Sequence, residues 1–318
     1  MSDADEVHLR HALALAERGR GTTHPNPLVG AVVVLDGAVV GEGWHVRKGE
    51  PHAEVLALRE AGERAHGADL YVSLEPCSHH GSTPPCTDAV VAAGIRRVVA
   101  AALDPNPKVD GVAQLRAAGV KVDLVPLAEA VAQNEAWRVW VARGRPFVTL
   151  KLAVSLDGRL TIPGRRWVSG EASRLLVHEL RAASDAVAVG MGTVRADLPR
   201  LDARDVPVVR QPRRLAFGRG PLPNGCDLEL RAGPLRVELE ALAQEGIQSL
   251  LLEGGPTIGA AFVAEGLIDR VLLFVAPVLA GGGVPALGVL PVPVDLHDAS
   301  CRMVGEDVLV TADLHPPD

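Results

Sequence analysis

Two cysteines, a histidine and a glutamate are arranged as catalytic zinc sites require. His52 and Glu54 are separated by one residue, and Cys77 and Cys86 follow, each preceded by a proline. Imidazole and thiolate suit tetrahedral zinc, and three protein ligands leave a fourth position open for a water of lowered pKa. A non-ligating glutamate beside the histidine is the acid/base of zinc deaminases. The pattern predicts that His52, Cys77 and Cys86 bind zinc and that Glu54 is the catalytic residue.

The spacing of the cysteines leaves a second interpretation open. Eight residues separate Cys77 from Cys86, whereas base deaminases of the Cys-x2-Cys type have two. The site could be structural, with His79 or His80 as fourth ligand, or could hold no metal. A structural site needs no acid beside its ligand, so Glu54 favours the catalytic interpretation.

The hydrophobic pattern predicts an α/β sandwich over residues 1–145. A helix starts near Asp3 or Asp5, and Asp36-Gly37 between two apolar runs is typical of a hairpin. Trp137 and Trp140, three residues apart on the last helix, are expected to pack in a core. We expect strands at 28–35, 38–43, 69–74, 97–102 and 120–125, and helices at 53–64, 86–93, 111–118 and 127–142.

The alternation of strand and helix patterns over residues 146–318 predicts a second α/β domain after a linker at 143–146. Gly190-x-Gly192 follows a strand, but Arg195 stands where a Rossmann fingerprint has its third glycine, which excludes that fold. We expect strands at 147–153, 186–190, 213–217, 248–252 and 270–276, and helices at 170–183, 236–245 and 256–265.

Composition excludes several classes of protein. A net charge of −7 and 3% aromatic residues argue against a nucleic-acid partner. Residues 1–20 lack the features of a signal peptide, and glycines and prolines interrupt the uncharged run at 271–294, which we interpret as a buried strand and a loop. Four scattered cysteines do not form a disulfide framework. We therefore expect a cytoplasmic protein with no membrane partner.

Several longer motifs resemble one family, the bifunctional riboflavin-biosynthesis deaminase/reductases. In the first half the matching segments are Thr22–Gly30, Gly41–His45, His52–Glu54, Pro76–Cys86 and Asp104–Pro107. In the second half they are Lys151–Arg159, Trp167–Ser169, Gly190–Asp197 and Glu253–Thr257. The resemblance covers nearly the whole chain, and the long loop between the cysteines is its most specific feature.

The resemblance implies an N-terminal cytidine-deaminase-like α/β/α sandwich and a C-terminal dihydrofolate-reductase-like α/β domain. It implies hydrolytic deamination of 2,5-diamino-6-(5-phosphoribosylamino)pyrimidin-4(3H)-one with one zinc per chain. Reduction of the ribosyl to a ribityl side chain with NADPH would follow. Enzymes of this type are commonly symmetric assemblies, so we expect a homo-oligomer, a dimer or a tetramer.

The resemblance also implies binding residues for each reaction. For the deaminase substrate they are Asn26, His45, His79, Asp104 and Asn106. For the nicotinamide cofactor they are Ala153, Trp167, Thr193, Asp197, Gly255, Pro256, Thr257, Ile258, Gly259, Ala260 and Ala261, where a glycine-rich helix start suits a phosphate. For the reductase substrate they are Lys151, Arg181, Leu201, Arg204 and Glu253, whose cations could pair with its phosphate.

Three departures from the family pattern affect these expectations. Ser82 stands where the family usually has a lysine or arginine that could face the substrate phosphate, and Lys48 is a candidate replacement. Arg165 stands where a small hydroxyl residue usually precedes the tryptophan. The segment 218–253 is shorter than in the family, and 218–225 is expected to be a turn. The adenosine end of the cofactor pocket is therefore expected to differ.

Rival functions remain at this point. The chain could be a deaminase only, with an inactive or assembly-forming second domain. It could act on nucleosides or tRNA, which share the chemistry but would need a basic, aromatic groove. It could also be a structural zinc module, in which Glu54 would have no catalytic task.

Overall fold

The computed structural model describes residues 3–80 and 84–315. The chain divides into two compact units, Met1–Arg143 and Gly144–Asp318, which are described separately. Among the described residues, no helix combines the length and apolar character needed to cross a membrane.

The first unit contains six α-helices and five strands within its described residues. The strands are β1 (Gly30–Leu35), β2 (Ala38–Trp44), β3 (Asp69–Val72), β4 (Arg97–Ala100) and β5 (Lys121–Leu124). The helices are α1 (Asp3–Ala16), α2 (Ala53–Ala61), α3 (Cys86–Ala92), α4 (Gly111–Ala117), α5 (Ala128–Gln133) and α6 (Glu135–Arg143).

These elements form three layers around one sheet. The strand order is β2-β1-β3-β4-β5, with β1 antiparallel to both neighbours and β3, β4 and β5 parallel. Residues of α2, α3 and α4 form a core on one face of the sheet. Residues of α1, α5 and α6 form a second core on the other face. The predicted α/β/α sandwich is therefore confirmed.

Small residues let α2 lie unusually close to the sheet. A Cβ atom at Gly41 would lie 2.2 Å from the carbonyl oxygen of Ala57, and one at Gly43 would lie 2.3 Å from that of Ala53. Both alanines are fully buried. His52 immediately precedes α2 and Glu54 lies in its first turn. The short distance between α2 and the sheet therefore determines how deeply both side chains are buried.

Most predicted elements of this unit are confirmed, with ends that differ by a few residues. The Asp36-Gly37 turn has positive φ at both positions, 50° and 80°, as a tight hairpin turn requires. The single helix predicted over 127–142 is wrong, because Asn134 leaves helical geometry (φ −116°, ψ 19°) and separates α5 from α6. Its side chain instead binds the backbone of Leu28.

The second unit contains four α-helices and eight strands within its described residues. The strands are β6 (Phe147–Ser155), β7 (Ala186–Gly190), β8 (Arg213–Phe217), β9 (Glu229–Arg231), β10 (Ser249–Leu252), β11 (Arg270–Ala276), β12 (His297–Val304) and β13 (Asp307–Asp313). The helices are α7 (Glu171–Ala183), α8 (Met191–Asp197), α9 (Leu235–Gln244) and α10 (Pro256–Ala264).

All eight strands form one sheet in the order β12-β13-β11-β6-β10-β7-β8-β9. The pairs from β11 to β9 are parallel, and β13 is antiparallel to both β11 and β12. Alternate residues of β7 enter opposite cores, one packed by α9 and α10 and the other by α8. The antiparallel edge and this strand order agree with the exclusion of a Rossmann fold.

Some elements of the second unit match the predictions from the sequence, and others were not predicted. The strands β7, β8 and β11 match their predicted ranges, and the uncharged run at 271–294 is β11 followed by a loop, as expected. The helix α8 and the strands β9, β12 and β13 had no predicted range. Residues 218–225 form no strand, as expected, but the shortened segment still contains β9 before α9.

We predict that Gly43→Ala destabilises the first unit and lowers its zinc content. The added methyl group would overlap the backbone of α2, so the helix must move, at a cost of about 1–3 kcal/mol in the free energy of unfolding. Thermal melting and zinc analysis of the purified protein measure both effects. Gly282→Ala is the control, because a Cβ atom there meets nothing within 4 Å. Equal melting and zinc content for both variants would contradict the prediction.

Candidate active sites

Three elements of the first unit bring the predicted zinc ligands together. His52 is the residue before α2, Cys77 follows β3 in a loop, and Cys86 is the first residue of α3. The Nδ1 atom of His52 lies 3.5 Å from Sγ of Cys77 and 3.3 Å from Sγ of Cys86. The three ligand atoms lie within 4.8 Å of one another.

The chemistry of these donors fits a zinc ion. A hydrogen bond between the two thiols lowers the pKa of Cys77 and raises that of Cys86. The backbone N–H of Cys86 also donates to Sγ of Cys77, at 3.3 Å. The cluster therefore offers a thiolate, a second sulfur and an imidazole nitrogen, which is a donor set that zinc binds tetrahedrally with one position open.

Glu54 lies beside these ligands and is almost completely buried, with 3% of its surface exposed. Burial, with a smaller contribution from the Cys77 thiolate, raises the pKa of Glu54 to about 7. Within the described part of the chain, Oε2 of Glu54 has no hydrogen-bond partner. A carboxyl group in this state can take up or release a proton near neutral pH.

His45 and Asn26 form a hydrogen-bonded pair beside the cluster. The amide nitrogen of Asn26 lies 3.0 Å from Nε2 of His45, and Nδ1 of His45 lies 3.4 Å from the carbonyl oxygen of Pro51. Burial lowers the pKa of His45, so its ring is neutral. In the tautomer that satisfies both contacts, Nδ1–H donates to Pro51 and Nε2 accepts from Asn26.

A buried glutamate, Glu75, organises the loop that carries Asp104 and Asn106. Its two carboxylate oxygens accept hydrogen bonds from the backbone N–H groups of Asp104 (3.2 Å) and Val112 (2.9 Å). Oδ1 of Asp104 accepts from the N–H of Asn106, at 2.8 Å. Burial, together with the nearby Glu75, raises the pKa of Asp104 to about 6.

One cavity of about 310 Å³ joins these groups. His52, Glu54 and Cys77 line it, and so do all five residues expected to hold the deaminase substrate, although His79 is largely exposed to solvent. Ser82, whose serine departs from the family pattern, lies outside the described residues. Eight further residues that were not predicted from the sequence also line the cavity: Pro25, Pro27, Val29, Leu74, Glu75, Trp137, Trp140 and Val141.

In the second unit, four of the five expected reductase substrate residues form a connected cluster. Nη2 of Arg181 donates to Glu253 at 3.0 Å, and Nζ of Lys151 lies 3.8 Å from the same carboxylate. Arg181 also donates to the carbonyl oxygen of Asp202 (3.0 Å), whose carboxylate binds Arg204. The fifth, Leu201, precedes Asp202 and is buried, with a positive φ of 55°.

The ionic state of this cluster differs from that of Glu54. Burial lowers the pKa of Lys151. Burial alone would raise the pKa of Glu253, but Lys151 and Arg181 outweigh it and lower that pKa. Glu253 is therefore an anion held between Lys151 and Arg181.

The expected cofactor residues lie on four segments of the second unit. Ala153 is in β6, Thr193 and Asp197 are in α8, and Gly255–Ala261 begin α10, with Pro256 in its first turn. A Cβ atom at Gly255 would lie 3.4 Å from Oγ1 of Thr193, so the starts of α8 and α10 are adjacent. The N-terminus of α10 offers free N–H groups and the positive end of a helix dipole, which fit a phosphate of the cofactor.

Trp167 lies on the fourth segment, in the loop before α7, and 52% of its surface is exposed. The guanidinium groups of Arg166 and Arg174 lie over its ring, at 4.9 Å and 5.4 Å from the centroid. Thr193 therefore lies at the start of α10, whereas Trp167 packs against two arginines.

Two models of known protein families match different parts of the chain. The family model described as the RibD C-terminal domain matches residues 146–310. The model described as the cytidine and deoxycytidylate deaminase zinc-binding region matches residues 2–102. Two different models thus match the two halves of the chain.

Relatives also match the chain over nearly its whole length. The riboflavin biosynthesis protein RibD of Aquifex aeolicus is 40% identical, with 97% of this chain and 98% of that protein covered. The structure of Acinetobacter baumannii RibD, form 1, has a TM-score of 0.87 at 35% identity and covers 98% of this chain and 99% of that one.

A further solved structure is described by its two activities. It is a diaminohydroxyphosphoribosylaminopyrimidine deaminase/5-amino-6-(5-phosphoribosylamino)uracil reductase from Thermotoga maritima, with a TM-score of 0.84 at 33% identity. It covers 98% of this chain and 99% of its own. With a family model over more than half its length and full-length relatives above 30% identity, the chain belongs to the RibD family of riboflavin biosynthesis proteins.

Proposed function

We propose that the chain carries out two consecutive steps of riboflavin biosynthesis, with residues 1–145 as the deaminase domain and 146–318 as the reductase domain. The first step is hydrolysis of the amino group of 2,5-diamino-6-(5-phosphoribosylamino)pyrimidin-4(3H)-one, in which water supplies the new oxygen and ammonia leaves. The second is reduction of the ribosyl side chain to ribityl. The deaminase-only alternative is not favoured, because a RibD model matches 146–310.

The observation that carries the deaminase proposal is the buried carboxyl group of Glu54 beside a His/Cys/Cys cluster in one cavity. Zinc bound by His52, Cys77 and Cys86 would act as a Lewis acid that activates water. Oε2 of Glu54 has no other partner in the described chain, so it can accept a proton and return it to the departing amine. A pKa of about 7 suits a group that must do both.

The remaining pocket residues support recognition of a pyrimidine ring. One amide N–H of Asn26 is used by His45, and its amide oxygen and second N–H can accept from and donate to the ring edge. Asp104 and Asn106 belong to a loop that Glu75 holds against the cavity, and His79 lies at its exposed edge. A net charge of −7 gives no support to an RNA substrate.

The charged cluster of the second unit supports the reductase proposal. NADPH would supply the hydride, with its phosphate groups at the start of α10. Both arginines are paired with carboxylates, Arg181 with Glu253 and Arg204 with Asp202, and the more exposed Arg204 is the cation better placed to meet the phosphate of the substrate. Lys151, buried beside Glu253, would face the polar part of the substrate. Ala153, Trp167, Thr193 and Asp197 would contact the cofactor.

We also propose that the chain forms a symmetric homo-oligomer, a dimer or a tetramer. The support is a segment of the second unit, residues 279–296, in which six large apolar side chains are at least 39% exposed and three exceed 60%. Large exposed apolar surface commonly marks a contact between proteins. Sedimentation equilibrium at several concentrations measures the state, and a monomer throughout would contradict the proposal.

We predict that Glu54→Gln lowers the deamination rate by roughly 10²- to 10⁴-fold while the zinc content is unchanged. The amide has the same size but cannot carry the proton. Product analysis on the diaminopyrimidinone, together with zinc analysis, measures the outcome. A variant that holds zinc and deaminates normally would favour the structural-zinc interpretation instead.

We predict that Lys151→Met lowers the reductase kcat/KM by at least about 30-fold, the effect of removing one partner of a buried charge pair. The decrease in NADPH absorbance with the deaminated substrate measures this rate. The two variants are controls for each other, because Glu54→Gln should reduce that substrate normally and Lys151→Met should deaminate normally. If the unsubstituted enzyme oxidised no NADPH with this substrate, the second activity would be refuted.

A further inference from the structure

One wall of the deaminase cavity is a face of α6, the last helix of the first unit. Trp137, Trp140 and Val141 line the cavity together with His52 and Glu54. Residues three and four positions apart share one face of a helix, so these three side chains form a single surface. The expectation that both tryptophans pack in a core is met, since Trp137 is 9% exposed and belongs to a core, but both also border the cavity.

Two side chains fix this helix to the polar parts of the cavity. Asn134, just before α6, accepts a hydrogen bond from the N–H of Leu28 and donates one to its carbonyl oxygen, both at 2.8 Å. Leu28 is two residues after Asn26. Arg138 donates to the carbonyl oxygen of Leu103, the residue before Asp104, at 2.7 Å. The indole rings therefore have a fixed position relative to Asn26 and Asp104.

The two walls of the cavity offer complementary chemistry. Asn26, Asp104 and Asn106 are hydrogen-bonding groups, which can recognise the edge of a heteroaromatic ring but offer no aromatic surface to its face. Among the described lining residues, the tryptophans have the largest flat apolar surfaces. Packing a ring face against an aromatic side chain is a common and favourable way to hold it.

We propose that Trp137 and Trp140 form the ring-binding wall of the deaminase site. The face of the substrate pyrimidine packs against the indole of Trp140, which is partly exposed at the cavity. Trp137, which belongs to the core, supports the indole of Trp140 from the core side. Asn134 is a positioning residue that sets the distance between this wall and Asn26. This inference rests on the proposed deaminase function and adds the side chains that hold the ring.

Steady-state kinetics on the diaminopyrimidinone give the first test. We expect Trp140→Ala to raise KM roughly 5- to 100-fold, which corresponds to one lost stacking contact, with a much smaller change in kcat. Trp140→Phe keeps an aromatic face and should raise KM less. Ala142→Ser, at an exposed position of the same helix, is the matched control. Zinc content and thermal melting show whether each variant is folded.

Fluorine NMR gives a readout that a purely structural role would not move. The four tryptophans are replaced by 5-fluorotryptophan and assigned with single phenylalanine substitutions. The substrate is added to zinc-loaded Glu54→Gln enzyme, which should bind it and turn it over only slowly. We expect the Trp140 resonance to shift most and that of Trp137 to shift less. Trp44 does not line the cavity and is the internal reference.

Each outcome decides between the two proposals. If equilibrium dialysis shows bound substrate but the Trp140 resonance does not move, or if folded Trp140→Ala keeps its KM, the ring-binding wall is refuted while the deaminase function stands. If the zinc-loaded enzyme neither binds nor deaminates the substrate, the proposed function fails and the wall fails with it. If Trp140→Ala does not fold, Trp140→Phe and the resonance shifts decide.

Discussion

The burial of one carboxyl group, that of Glu54, is the constraint on which the first unit depends. An ionised carboxylate in an apolar interior loses its hydration, and this loss raises the pKa of Glu54 to about 7. The group is deep because α2 lies against β2 with only glycine between them at positions 41 and 43. The same approach brings His52 to the loop of Cys77 and the start of α3. Proton chemistry and metal binding therefore share one packing contact.

Features that arise from neighbouring residues can be predicted from the sequence more easily than features that arise from contacts between distant segments. The hairpin at Asp36-Gly37 and the strands β7, β8 and β11 come from local patterns, and their ranges follow closely from the sequence. The predicted zinc ligands lie far apart in the chain but have rare residue types and fixed neighbours, so their cluster can be expected from the sequence. The resemblance to a family extends that recognition to Asn26 and Asp104, whose residue types alone indicate only a turn and a loop.

The features that escaped prediction depend on contacts between distant segments. Asn134 ends one helix and begins another because its amide binds Leu28, more than a hundred residues earlier. Nothing in the sequence around 127–142 indicates that partner. The sequence around Glu75 likewise indicates only an ordinary charged residue beside Pro76. In the structure Glu75 is buried and accepts hydrogen bonds from two backbone N–H groups of a later segment. The short strand β9 has three residues and owes its place to pairing with β8.

Glu54 and Glu253 are both deeply buried, and their different surroundings lead to different chemistry. Arg181 and Lys151 surround Glu253 and lower its pKa, so it remains an anion that fixes the positions of two cations. At Glu54, His52 lowers the pKa of the carboxyl group less than burial and the Cys77 thiolate raise it. A permanently charged carboxylate can position a binding site but is a poor proton carrier near neutral pH, whereas a carboxyl group with a pKa near 7 can exchange its proton in each reaction cycle. The residue type is the same in both units, and the surrounding charges determine whether it organises a site or takes part in the reaction.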